Sequence, residues 1–95
     1  MTGCYIIYSP KLDKFYVGVT QENVQIRLMK HNSHFYGKNK FTATTSDWDI
    51  FLFIPTNDFA HATRIEKKIK SMKSAKYIRN LKKFPELLDR VVRCT

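Results

Sequence analysis

Gly3-Cys4-Tyr5-Ile6-Ile7-Tyr8, then Ser9-Pro10 and Asp13, then Lys14-Phe15-Tyr16-Val17-Gly18-Val19, is the stretch from which the fold of this 95-residue chain is read. Both runs are rich in β-branched and aromatic residues, the segment between them carries turn chemistry, and together they predict a β-hairpin. Side chains alternate across a strand, so Tyr5 and Ile7 share one face while Cys4, Ile6 and Tyr8 share the other. In the second run Tyr16 points opposite to Phe15, Val17 and Val19. Each strand therefore presents one tyrosine to a common face.

Downstream, Thr20 is a candidate N-cap for a helix over 21–32, with Gln21 and Glu22 in its first turn. Val24 and Leu28 are four apart there, as are Arg27 and His31, which places the second pair beside the first at the rim of the core. The polar, aromatic-spotted connection from Asn32 to Thr45 is long for a compact domain, which favours a functional loop, with Lys38 and Lys40 near its tip. Trp48 to Ile54 is apolar at nearly every position and predicts a strand covered on both faces and ended by Pro55. Asn57 or Asp58 caps a helix over 59–73 whose apolar stripe is Phe59, Ala62, Ile65, Ile69 and Met72. Glu66 falls inside that stripe, where a carboxylate needs a partner or a task. A helical stretch over 75–83 follows, and Pro85 opens a last helix. The expected fold is α+β, a small, mainly antiparallel three-stranded sheet flanked by helices, in one domain over residues 1–95.

Composition narrows the functional classes. A chain of this length has a modest core and little room for a second module. Seventeen Lys and Arg against eight Asp and Glu give a formal charge of +9, which suits a polyanionic partner, DNA, RNA or an anionic membrane surface. No apolar run of transmembrane length and no leader pattern is evident, so a soluble, unexported, cytoplasmic protein is expected, without a membrane partner. Cys4 and Cys94 sit at opposite ends and form neither a metal-ligand spacing nor a disulfide framework; Cys4 reads as a small buried hydrophobe.

Taken singly, the polar residues of this layout have ordinary explanations. Two tyrosines in a hairpin usually pack, a helix arginine is usually solvated, and Glu66 has Lys70 four residues on as an ion-pair partner. Taken together and in this order, Tyr5, Tyr16, Arg27, His31 and Glu66 compose a site for cleaving phosphodiesters. In that set the chain resembles the GIY-YIG endonucleases, a family that includes the nuclease domain of the bacterial excision-repair incision subunit, and it most resembles their small stand-alone members. Gly3-Cys4-Tyr5 stands where the family has Gly-Ile-Tyr, and Tyr16-Val17-Gly18 stands for Tyr-Ile-Gly. Arg27 matches the essential arginine, His31 the position four residues on, and Glu66 the metal-binding acid. Asn80 is placed as the C-terminal polar residue near the site.

The resemblance implies metal-dependent hydrolysis of DNA, with Glu66 holding Mg²⁺ or Mn²⁺ and Arg27 offering a permanently charged fork to the phosphate. It also makes Tyr5 the first choice for activating water, His31 its helper and Tyr16 an orienting hydroxyl. One such site implies nicking, one strand per engagement. The lack of a targeting module implies low sequence specificity or a recruiting protein partner. Residues 64–83 hold nine Lys or Arg and one acid. The bland account of such a run is a solvated helix face, and the functional one is a phosphate-tracking surface formed by Lys67, Lys70, Lys73, Lys76, Arg79, Lys82 and Lys83. RNA remains open as a substrate, and the competing reading is a non-catalytic nucleic-acid-binding module of the same fold.

Overall fold

A computed structural model describes residues 1–35, 37 and 41–95, with the side chains of residues 41 and 42 left aside. The hairpin forms as the alternation predicts. β1 (Gly3–Ser9) pairs antiparallel with β2 (Lys14–Thr20), setting Tyr5 opposite Gly18 and Ile7 opposite Tyr16. β3 (Asp49–Pro55) joins the other side of β1, also antiparallel, so the sheet order is β2-β1-β3. The helices are α1 (Val24–Asn32), α2 (Phe59–Met72), α3 (Ala75–Lys83) and α4 (Pro85–Cys94).

The two faces of the sheet bury different chemistry. Cys4, Ile6 and Val17 meet Ile65 and Ile69 of α2, Ile78 and Leu81 of α3 and Val91 of α4 in an aliphatic core. On the opposite face Tyr5, Ile7 and Trp48 pack with Tyr16 and with Val24 and Leu28 of α1. The strand covered on both faces is thus the central one, β1. β3 was expected in that role, but it is an edge strand, half-buried from Ile50 to Phe53. An edge position also accommodates Pro55, which has no N–H to give to a ladder. Opposite Pro55, a Cβ on Gly3 would lie 2.5 Å from the Ile54 carbonyl, so the close approach of β3 requires glycine there.

Two boundaries differ from the sequence reading. Thr20 does not cap α1, because its backbone is still in the β2 ladder opposite Gly3. Its hydroxyl accepts from the Glu22 amide at 3.0 Å and closes a turn, and Asn23 caps the helix, its Oδ1 accepting from the Gln25 amide at 2.7 Å. Trp48 lies one residue before β3. Its backbone pairs with the Asn32 side-chain amide, whose Oδ1 accepts from the Trp48 N–H at 2.8 Å and whose Nδ2 donates to the Trp48 carbonyl at 2.9 Å. That double bond fixes the C-terminal end of α1 against the sheet. Asp58 and Ser74 cap α2 and α3 by accepting from the His61 and Tyr77 amides, and Pro85 opens α4.

Candidate active site

α1 crosses the Tyr5 face of the sheet and delivers Arg27 and His31 to it, one helical turn apart. His31 is buried, and its Nε2 lies 2.7 Å from the Tyr5 hydroxyl. Burial first, and the Arg27 guanidinium second, push its imidazole down from 6.5 to about 4, so it is neutral at physiological pH. The Tyr16 ring stands edge-on to His31 at 5.1 Å and 6.5 Å from Tyr5, centroid to centroid. Four of the residues singled out from the sequence are therefore one cluster.

Gly18 explains how this cluster closes. A Cβ there would lie 2.6 Å from both Cζ and the hydroxyl of Tyr5, so the phenol ring rests directly on the β2 backbone. The glycine of the second motif makes room for the tyrosine of the first. Tyr5 is 0% exposed as a result, and its hydroxyl is engaged with His31. Tyr16 is only half-buried, and its hydroxyl makes no hydrogen bond among the described residues. Of the two tyrosines Tyr16 is thus the one nearer to solvent, whereas Tyr5 holds the buried side of the cluster.

Arg27 is fixed from several sides. Its Nη2 donates to the Val19 carbonyl at 3.3 Å, its Nη1 is 4.0 Å from Glu22, and its guanidinium lies 5.9 Å from the centre of the Tyr5 ring. Glu22 also accepts from Lys30 at 3.0 Å. These groups border an open cleft of about 500 Å³ at the start of α1, which exposed Phe59 of α2 also lines.

Glu66 arrives from α2, on the other face of the sheet, with its side chain 18% exposed. The ion pair with Lys70 is present at 3.3 Å, and the same ammonium lies 5.8 Å from the centre of the Tyr16 ring. Because β2 is an edge strand, Lys70 reaches around it and links the carboxylate to the tyrosine cluster. Close by, burial above all, and then the Glu66 carboxylate, push the Cys4 thiol up to about 12, so Cys4 is an inert core residue. Among the described residues no three His, Cys, Asp or Glu converge as a ready metal cage. A single, partly exposed carboxylate is a donor suited to a hard cation that keeps most of its waters, and unsuited to a site of zinc type.

The remaining sequence candidates separate. Asn80 lies on α3, and among the described residues no hydrogen bond ties its side chain to the tyrosine cluster. Arg79 is occupied: its Nη2 is 3.4 Å from Asp13, and its guanidinium sits 5.2 Å from the Phe15 ring centre. Lys82 lies 4.7 Å over Phe51. Both dock α3 on the end of the sheet, where Tyr8, Phe15 and Phe51 form a row with 4.9 Å steps. Lys67, Lys73 and Lys76 are exposed and make no ion pair among the described residues. Lys38 and Lys40 lie outside the described residues.

Three contributors were missed from the sequence: Glu22 as the anchor for Arg27 and Lys30, Asn32 as the clamp on Trp48, and Lys70 as a bridge. Asn32 reaches Trp48 sixteen residues away, and Glu22 pairs from the turn before α1 at spacings of five and eight, for which helical periodicity gives no signal. Lys70 was singled out as the i,i+4 partner of Glu66 and as part of a phosphate-tracking surface, but its approach to Tyr16 was not foreseen.

The family model for the GIY-YIG catalytic domain matches residues 1–79. The match spans both glycine-tyrosine motifs, Arg27, His31 and Glu66, and stops just before Asn80. No curated protein and no solved structure matches the chain.

Proposed function

The chain belongs to the GIY-YIG nuclease superfamily, and from that premise we propose that it is a metal-dependent endonuclease that nicks DNA, one strand per engagement. The observation that carries this reading is the convergence of Arg27, His31, Tyr5 and Tyr16 within a few ångströms, backed by Gly18 and Asn32. A packing role alone does not call for a buried histidine and a fixed guanidinium on one face of a small core.

In the proposed mechanism Arg27 binds the scissile phosphate through its planar fork, held in aim by Val19 and Glu22. Tyr16, half-exposed, accepts a hydrogen bond from the attacking water and holds it in line; as the water oxygen bonds to phosphorus and the P–O3′ bond breaks, the water's proton leaves along this hydrogen bond to solvent. Tyr5 and His31 lock the Tyr16 side of the site from behind. A neutral imidazole held near 4 is a poor proton sink for a phenol, whose ordinary value is about 10. His31 is accordingly an orienting partner for the Tyr5 hydroxyl. Glu66 would hold Mg²⁺ or Mn²⁺, and such an ion supplies charge stabilisation on the phosphoryl oxygens and assists the departing 3′-oxygen. Lys70 pairs with Glu66 and lies over the Tyr16 ring, so it ties the carboxylate to the tyrosine cluster. Lys67, Lys73 and Lys76 supply affinity independent of sequence, which falls as salt rises. A low intrinsic specificity, or delivery by a partner protein, belongs to the same reading.

The test is nicking of supercoiled plasmid with Mg²⁺ or Mn²⁺, run beside chelator, Arg27→Ala and Glu66→Gln preparations. Relaxation that requires the metal and disappears in both variants is the expected result. DNA binding by all three proteins without any cleavage would instead support a non-catalytic binding module.

A further inference from the structure

Phe59 and Met72 were expected in the apolar stripe of α2, together with Ala62, Ile65 and Ile69. The last three are buried, whereas Met72 at the far end of the helix is 42% exposed and Phe59 remains 41% exposed. It occupies the first turn of α2, just after the Asp58 cap, and its ring lines the cleft of about 500 Å³ next to Arg27. The same cleft is bordered by Thr20, Gln21, Glu22 and Lys30, so an aromatic surface, two cationic side chains and polar groups able to meet the edge of a base converge on one volume. Its size lies in the range of small-ligand sites.

Arg27 belongs both to this cleft and to the tyrosine cluster, since its guanidinium lies 5.9 Å from the centre of the Tyr5 ring. A ligand in the cleft is therefore adjacent to a phosphate bound by Arg27. Lys30 and Arg27 favour an anionic ligand, and Glu22, neutralised by Lys30 at 3.0 Å, is held as an acceptor rather than as a bare repulsive charge. An aromatic ring beside cationic groups along a backbone path is the arrangement that stacks unpaired bases. In a duplex the base faces are covered by their neighbours, so only a base outside the stack can use it.

Resting on the nuclease reading above, we propose that the cleft between the start of α1 and the first turn of α2 is a subsite for one unpaired nucleobase flanking the scissile phosphate, with Phe59 as its stacking surface. The preferred substrate is then DNA with a single-stranded nucleotide beside a duplex, rather than uninterrupted duplex.

The subsite is tested by binding, with metal chelated so that no cleavage intervenes. The probes are a fully paired oligonucleotide duplex and the same duplex carrying a short single-stranded overhang with 2-aminopurine as its first unpaired base. Parent protein is expected to bind the overhang duplex more tightly and to lower the 2-aminopurine emission on binding. Phe59→Ala should weaken binding of the overhang duplex by about 5- to 100-fold and abolish the emission change, while the paired duplex, which offers no free base face, loses little. Phe59→Trp should restore both signals. Equal affinity of the parent for the two probes, or an equal loss on both in Phe59→Ala, overturns the subsite. The outcome is separable from the nuclease reading: a protein that nicks plasmid without discriminating the probes loses only the subsite, and one that stacks the base without nicking loses only the nuclease activity.

Discussion

The two faces of the sheet solve opposite problems with the same strand. Toward α2, α3 and α4, β1 sends Cys4 and Ile6 into a core of isoleucine, leucine and valine whose only evident task is to remove apolar surface from water. Toward α1 it sends Tyr5 and Ile7 into a layer that also buries His31 and borders Arg27. The first face is redundant, since each side chain contributes area and little direction. The second is specific, since its polar groups depend on particular named neighbours. Apolar packing dominates one face and the polar cluster sits on the other, and Lys70, passing around the β2 edge, links Glu66 of α2 to Tyr16.

That contrast can be broken most forcefully from the aliphatic side. Ile65 is fully buried against β1, and Ile65→Ala is expected to cost about 2–5 kcal/mol in urea unfolding while the cleavage rate of the remaining folded protein stays near that of the parent. A loss of cleavage much larger than the loss of folded protein would show that the faces are not separable.

Acid probes the other face. His31 titrates near 4 in the folded protein and near 6.5 when unfolded, so between those values the unfolded chain binds a proton that the folded chain does not. Stability from this group is therefore complete above about pH 6.5, falls as pH drops toward 4, and amounts to on the order of 3 kcal/mol over that window. Unfolding free energies measured across the window should slope in the parent and flatten in His31→Asn. The same slope in both would remove His31 from the account.

Gly18→Ala sharpens the comparison within one position. The added methyl group meets the Tyr5 ring and hydroxyl at 2.6 Å, and since the ring lies in a filled layer the substitution should cost about 1–3 kcal/mol and reduce cleavage more than that destabilisation explains. The smallest effect belongs to the bridge. Lys70→Gln breaks a half-exposed ion pair, so stability should change by no more than about 0.5 kcal/mol; a loss several times larger would make Lys70 part of the core.

Most of the architecture was legible because it is local. The hairpin follows from alternation between residues 3 and 19, and α2, α3 and α4 begin at Asp58, Ser74 and Pro85 because those side chains or rings end the preceding segment. What could not be read depends on contacts between distant segments. That β1 is the central strand is decided by pairing with β3, some fifty residues away, and Thr20 misled because strand pairing outweighed its capping preference. The residues of the candidate site were visible as residue types in order. Their relative burial was not, because Tyr5 is covered by the close approach of the β2 backbone at Gly18, and because Phe59 stays exposed beside a cleft lined by residues of both α1 and α2.

The most direct test of this account is single-turnover cleavage, with excess protein and saturating Mn²⁺, by Tyr16→Phe and Tyr5→Phe, each with its unfolding free energy measured on the same preparation. Tyr16→Phe is expected to lower the cleavage rate by about 10²-fold or more with stability unchanged. Tyr5→Phe removes the hydroxyl that bonds His31 and should lose about 1 kcal/mol of stability with a smaller loss of rate. Parent-like cleavage by Tyr16→Phe would contradict the claim that the half-exposed tyrosine meets the attacking water.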